Sequence, residues 1–184
     1  HGVGVDNVVD VATATGLGLY VVRTPLANMD SVAEHTLGAI LALAKNMLPL
    51  EKAARRADFD APLSFESHDI GGKTLGIIGL GNIGRTLAKK AHGGFDMEIL
   101  GYDPFVKKED LPDYITCVED VDDIFRRADY VSLHLNASPE NDNFVDKRRL
   151  ELMKPGACLL NFSRGSNVNE ADLYEALKNH VIAG

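Results

Sequence analysis

The stretch TLGIIGLGNIGRTLAKKAHGGFDMEILGYD, from Thr74 to Asp103, decides the fold. Leu75 to Gly79 form a short apolar run bounded by glycines, which suits a strand buried in a parallel sheet. Gly79, Gly81 and Gly84 then spell G-x-G-x-x-G, and helix-forming residues from Thr86 to Ala91 follow at once. Each glycine has a separate task. Gly79 permits the tight strand-to-helix turn, Gly81 lets a pyrophosphate approach the backbone, and Gly84 lets helix and strand pack closely. The free N–H groups and positive dipole end of the new helix then face the phosphates.

A second apolar strand, Ile99 to Tyr102, ends in Asp103, nineteen positions after Gly84. A carboxylate that binds the ribose hydroxyls of a dinucleotide is expected at roughly this distance, about 20 residues on. Glycine-rich turns also arise for structural reasons alone. Here the order strand, turn, helix, strand and acid favours a dinucleotide site. The acid favours NAD, because the 2′-phosphate of NADP would meet a negative charge. Lys107 and Lys108 read as a solvated pair at a helix start rather than as a phosphate site.

The rest of the chain sets the bounds. At 184 residues it is long enough for one well-buried domain, with hydrophobic and charged fractions of 45% and 25% that are ordinary for a soluble globular protein. A net charge of −8 leaves no basic footprint for nucleic acid and no attraction to an anionic membrane. The longest apolar run, Leu37 to Ala44, is far short of a bilayer span. Cys117 and Cys158 match no metal or redox spacing, so no metal site is expected. They read as buried thiols of a reducing, cytoplasmic compartment.

Along the chain, Asp6 or Asn7 is placed to cap a short helix and Leu19 to Val22 reads as a strand. Asp30 or Ser31 is expected to cap a long helix, with Glu34 completing a capping box on Ser31. Its apolar positions run at helical spacing from Val32 through Met47 and Leu48, and Pro49 should interrupt it. Glu51 to Asp69 suits a linker or a subunit-contact arm. Strands are expected at Ile115 to Val118, Tyr130 to Leu135 and Ala157 to Phe162, with helices at Val121 to Ala128, Asp146 to Met153 and Glu170 to Lys178. This alternation predicts an α/β fold, a Rossmann-type doubly wound parallel sheet in three α/β/α layers.

In such a sheet ligands lie beyond the carboxyl ends of the strands. Ser163-Arg164-Gly165 follows a strand there, and two readings stand side by side: a cation aimed into the cleft to bind a carboxylate or ketone oxygen, or a surface arginine with a turn glycine. Of six histidines only His134 stands near a strand end, within an apolar run that favours packing over catalysis. The chain thus offers no clear acid/base.

Read together, GVGVDNV (2–8), TP (24–25), SVAEHTLG (31–38), GKTLGIIGLGNIGR (72–85), GYDPF (101–105), VSLHL (131–135), LMKPGACLLNFSRG (152–165) and DLYEAL (172–177) resemble the D-isomer-specific 2-hydroxyacid dehydrogenases, the phosphoglycerate-type members most. The resemblance covers nearly the whole chain. It implies an NAD-binding domain set within a discontinuous substrate domain, a homodimer, and a small 2-hydroxy or 2-keto acid as substrate. Asn82 and Ile83 then match the turn residues under the pyrophosphate, and Asp103 the ribose ligand. Phe162, Ser163 and Arg164 match the segment on the nicotinamide side, while Val3 and Leu135 match positions that approach the cofactor in some members. Arg164 matches the catalytic arginine that holds the substrate's carboxylate and carbonyl oxygen, and His134 a position that is not the acid/base.

The family's glutamate and proton-donating histidine follow the position of Gly184, and most of its substrate domain precedes His1. The chain is therefore expected to be a domain of a longer protein, residues 1–24 crossing over from the substrate domain. Arg23 and Asn136 depart from the asparagine and proline common in the family, and single-residue insertions fall near Val9 and Gly94. NAD-sensing corepressors that share the fold and the arginine, and glyoxylate-, hydroxypyruvate- or formate-type enzymes, are the alternative members.

Overall fold

A computed structural model describes residues 9–60, 65–136 and 138–184. Five parallel strands, β1 (Thr74–Ile78), β2 (Glu98–Tyr102), β3 (Ile115–Cys117), β4 (Tyr130–Leu133) and β5 (Cys158–Asn161), form one sheet in the order β3-β2-β1-β4-β5. The chain winds outward from β1 to β3 and then returns to β1's other side with β4. The strand order thus reverses at the carboxyl ends of β1 and β4, where such sheets bind ligands.

Successive side chains of a strand face opposite ways, so β1 feeds two cores. Leu75 and Ile77 meet Leu37 and Ile40 of α2 (Met29–Ala44) and Leu87 and Ala91 of α4 (Asn82–Phe95) in one cluster. Ile78 faces the other, with α5 (Asp122–Arg127), α6 (Lys147–Leu152) and α7 (Glu170–Lys178). This is the expected three-layer arrangement. Isolated helices shorter than about 12 residues are marginal in water. The six-residue α5 is therefore held by burial, through the fully enclosed Ile124 and Phe125.

The N-terminal half departs from several local expectations. α1 spans Val11–Gly16 and is capped by Asp10, whose carboxylate accepts from the Thr13 N–H; Asp6 and Asn7 lie outside the described residues. Leu19 to Val22 forms no strand: among the described residues it pairs with none, and Tyr20 is 99% exposed. β-propensity without a neighbour to complete its hydrogen bonds yields only extended coil. α2 begins at Met29 with Asn28 as its cap, so the Ser31–Glu34 capping box does not form; Glu34 accepts from Lys90 of α4 instead (2.8 Å). The break ahead of α3 (Met47–Arg55) comes at Asn46, in the left-handed region at φ 50°, rather than at Pro49. Pro49 sits in the first turn of α3, where its missing N–H costs no hydrogen bond. Asn46 also donates to the Glu66 carbonyl (2.9 Å), and the His68 N–H donates to Ala44 (3.0 Å). The end of α2 is thereby tied to the segment leading into β1. Met47 and Leu48 stand exposed on α3, not on the buried face expected for them.

On the opposite layer Asp122 joins α5 to α6 through Arg148 and Arg149, the latter at 3.3 Å. The Arg148 guanidinium, against partial desolvation and with help from Arg149, holds the Asp122 carboxyl below the usual carboxylate range. Its contribution is therefore present above about pH 4 and lost as pH falls through the depressed value. Asp122→Asn should cost about 1 kcal/mol at neutral pH, solvent screening included. In urea melts the gap to the parent chain should narrow progressively as pH falls below about 4; a pH-independent gap would argue against the ion-pair origin.

Candidate functional site

The turn after β1 has the geometry its glycines require. Gly79 has φ +99°, open to glycine at little cost, and a Cβ there would lie 2.6 Å from the His134 carbonyl oxygen. Gly84 is buried in the first turn of α4, and its Cβ would stand 2.0 Å from the Gly79 oxygen. Gly81, the cap residue, is the opposite case: a Cβ there meets nothing within 4 Å, and no side chain bonds across the helix end. The turn is thus sealed by Gly84 and open at Gly81. Asn82, Ile83 and Gly84 are the first three residues of the 14-residue α4, so their N–H groups have no acceptor within the helix. Together with the helix dipole they suit an anionic pyrophosphate.

Asp103 follows β2 and is anchored to this turn. One carboxylate oxygen accepts from the Leu80 N–H at 2.8 Å, and the other from the Phe105 N–H at 2.9 Å. Each oxygen has a further lone pair for a hydroxyl donor. The anchoring through Leu80 makes the acid and the glycine turn one unit, which sequence spacing alone did not reveal. Lys107 and Lys108 are exposed and begin a short 3₁₀ turn, as a solvated pair would.

Beyond β4, His134 donates its N–H to the Ile78 carbonyl (2.8 Å), and its Nε2 lies 2.9 Å from Ser132 Oγ. Burial pushes its imidazole down to about 4, so it is uncharged at neutral pH. The backbone carbonyl and Cβ of His134 lie against Gly79, and its neutral ring bonds the buried Ser132, a packing role rather than a catalytic one. Leu135, next in the chain, is partly buried against the second core.

Beyond β5, Phe162 is partly buried and meets the edge of the His35 ring (centroids 5.3 Å apart). Ser163 is partly buried and Arg164 exposed; the guanidinium donates to the Ser163 carbonyl (2.9 Å) and has no carboxylate partner among the described residues. Sequence reading passed over Asn161, whose amide bonds Ser163 and Arg164. The signal was present, since Asn followed two residues later by Ser is a common Asx-turn pattern.

Gly79, Asp103, Leu135 and Arg164 thus all follow carboxyl ends of parallel strands, at one edge of the sheet. Val3 lies outside the described residues. A separate cavity of about 380 Å³, lined by Lys147, Leu150, Asp172 and Ala176 among others, takes in none of the candidate residues. Among the described residues no group of three or more His, Cys, Asp or Glu side chains is placed to hold a metal ion, and no helix is long and apolar enough to cross a membrane.

This fold and this turn define a dinucleotide-binding α/β domain. Residues 37–184 match the family described as "D-isomer specific 2-hydroxyacid dehydrogenase, NAD binding domain", and the chain belongs to that family. It is 40% identical over 178 residues to a D-3-phosphoglycerate dehydrogenase of Methanocaldococcus jannaschii, covering 96% of this chain and 33% of that protein. It is also similar to D-2-hydroxyisocaproate dehydrogenase (28% identity, TM-score 0.91, 100% of this chain and 54% of that one). A third similar structure is the Aquifex aeolicus D-lactate dehydrogenase complexed with NAD and lactic acid (32% identity, TM-score 0.83, 96% and 52%). The chain therefore spans between a third and about half of these proteins' lengths. NAD is the cofactor of the domain, and the open backbone at Gly81 with the anchored Asp103 fits it.

Proposed function

We propose that residues 1–184 act as the NAD-binding domain of a longer D-2-hydroxyacid dehydrogenase, with residues 1–24 crossing over from a substrate domain. The observation that carries this reading is the exposed Arg164, without a carboxylate partner among the described residues, at the sheet edge that bears the glycine turn. NAD, when bound, supplies the acceptor for the hydride that leaves C2 of the hydroxy acid. The chain's own residues do the rest of what this domain contributes. Asn82, Ile83 and Gly84 offer N–H groups to the pyrophosphate, and Asp103 accepts from the ribose. Phe162 and Ser163 border the nicotinamide side, with Leu135 flanking the cofactor. Arg164 holds the substrate carboxylate and steadies charge developing on the reacting oxygen.

Identity to the Methanocaldococcus jannaschii relative supports a phosphoglycerate-type substrate over lactate. The relatives named above are all called dehydrogenases, which favours an enzyme over a corepressor. A homodimer is supported by the apolar side chains that α2 and α3 expose, Leu43, Met47 and Leu48. Free Cys117 and Cys158 fit a reducing, cytoplasmic setting.

Calorimetric titration tests the cofactor assignment. NADH should bind at least about tenfold more tightly than NADPH, and Asp103→Asn should narrow that ratio, since one charge repulsion of about 1.4 kcal/mol is a factor of ten. Equal affinities in the parent chain would defeat the role of Asp103. Sedimentation of the same samples should give twice the 19.9 kDa chain mass, and a monomer at micromolar concentration would remove the dimer.

A further inference from the structure

We propose that Asn161 is a positioning residue: its side-chain amide sets the backbone of Ser163 and Arg164 and so fixes where the guanidinium is presented. The inference rests on the substrate-binding role given to Arg164 above. Asn161 is the last residue of β5, and its Oδ1 accepts from both the Ser163 N–H (3.1 Å) and the Ser163 hydroxyl (2.7 Å). Its Nδ2 donates to the Arg164 carbonyl at 2.8 Å. That same carbonyl accepts from the Asn167 N–H (3.1 Å), so the peptide following Arg164 is held from both sides.

Downstream the loop has other ties. Asn143 and Val145 donate to the carbonyls of Ser166 and Asn167, at 2.7 and 2.9 Å. On the upstream side, among the described residues, the amide of Asn161 supplies the side-chain bonds to Ser163 N–H and Arg164 C=O. Arg164 itself is extended, at φ −139° and ψ 144°, a conformation that does not by itself dictate the loop's path. Asn161 is also exposed and belongs to neither apolar cluster, so its amide serves the loop rather than the core.

An amide is the side chain that the geometry calls for, because it accepts at one end and donates at the other. Aspartate would keep both bonds to Ser163 but turn an oxygen toward the Arg164 carbonyl and set a negative charge beside the guanidinium. The guanidinium's present contact, with the Ser163 carbonyl, is a bond to a neutral acceptor. A substrate carboxylate makes a charge-assisted bond about twice as strong and displaces it.

The test uses the full-length polypeptide that carries these residues, assayed with NADH and 3-phosphohydroxypyruvate, hydroxypyruvate or pyruvate. Asn161→Ala should lower kcat/KM by about 10- to 100-fold, chiefly through a raised keto-acid KM, because misplacement by about 1 Å carries losses of this size. NADH affinity by calorimetry should stay within about twofold. The dissociation constant of oxamate, a non-reducible analogue titrated into NADH-saturated protein, should rise in step with KM. Asn161→Asp should lose activity likewise, and serves if the alanine variant fails to fold.

In an Arg164→Gln background Asn161→Ala should cost nothing further, since it acts through the absent guanidinium. Full additivity of the two losses, or an equal loss of NADH affinity, would overturn the positioning role while leaving the assignment of Arg164 intact. An Arg164→Gln enzyme with unchanged kcat/KM would overturn both.

Discussion

Replacing Gly84 by alanine is expected to destabilise the domain by about 3 kcal/mol, the upper end for an overpacked core site. The added methyl would stand 2.0 Å from the Gly79 carbonyl oxygen, a backbone atom that cannot move without reshaping the turn. In a chain of this length that corresponds to a fall in Tm of roughly 5–10 °C. Any folded remainder should bind NADH at least about tenfold more weakly, because the turn that presents the helix N–H groups is displaced. Gly81→Ala is the control. Its methyl meets no protein atom within 4 Å, so Tm should stay within about 1 °C while NADH affinity falls. Thermal melts beside NADH titrations separate the two. A Gly84→Ala chain that melts like the parent, or a Gly81→Ala chain that binds NADH normally, would contradict the division of labour drawn for the turn.

The second large effect is expected at Arg164. In the full-length enzyme Arg164→Gln should lower kcat/KM for the keto acid by about 10²–10³, the range for one preorganised charge-stabilising donor in an active site. Arg164→Lys should recover part of the loss, since it restores the charge but not the planar fork that grips a carboxylate with two bonds. NADH affinity should change by no more than about twofold in either variant, because cofactor anchoring rests on the glycine turn and on Asp103. Steady-state kinetics with NADH held saturating is the measurement. The side chain is exposed and outside both cores, so a loss of activity at unchanged Tm reports chemistry rather than unfolding.

Much of the fold was legible because its signals are local and mutually consistent. The strands from β1 to β5 and the helix α7 lie within two residues of the positions that apolar runs and flanking glycines indicate, with α7 ending at both of its expected residues. The misreadings share one cause. Leu19 to Val22 has strand-like residues but no neighbouring strand among the described residues. Ser31 and Glu34 have the capping-box spacing, but α2 starts two residues earlier at Met29, which puts Ser31 inside the helix, and Glu34 pairs with Lys90 of α4 instead. Pro49 marks a break by its local chemistry, whereas the backbone turns at Asn46, whose side chain finds the Glu66 carbonyl 20 residues away. In each case a contact distant in sequence, or its absence, outweighed the local preference.

The sequence by itself determined the parts of the site that depend on single-residue sterics and short spacing: three glycines at a strand-to-helix turn, an acid at the end of the next strand, and an arginine after β5. Only a glycine takes φ +99° at Gly79 cheaply or fits against a carbonyl at Gly84, so those positions announce themselves. The tertiary structure decided how the parts are joined. Asp103 reaches the Leu80 N–H across 23 residues, His134 lies with its backbone against Gly79 and is kept neutral by burial, and Asn161 folds back on the loop that carries Arg164. The first two depend on the parallel packing that brings the ends of β1, β2 and β4 together, which no local pattern encodes; the third is a local bond whose importance shows only once that loop is seen at the sheet's ligand-binding edge.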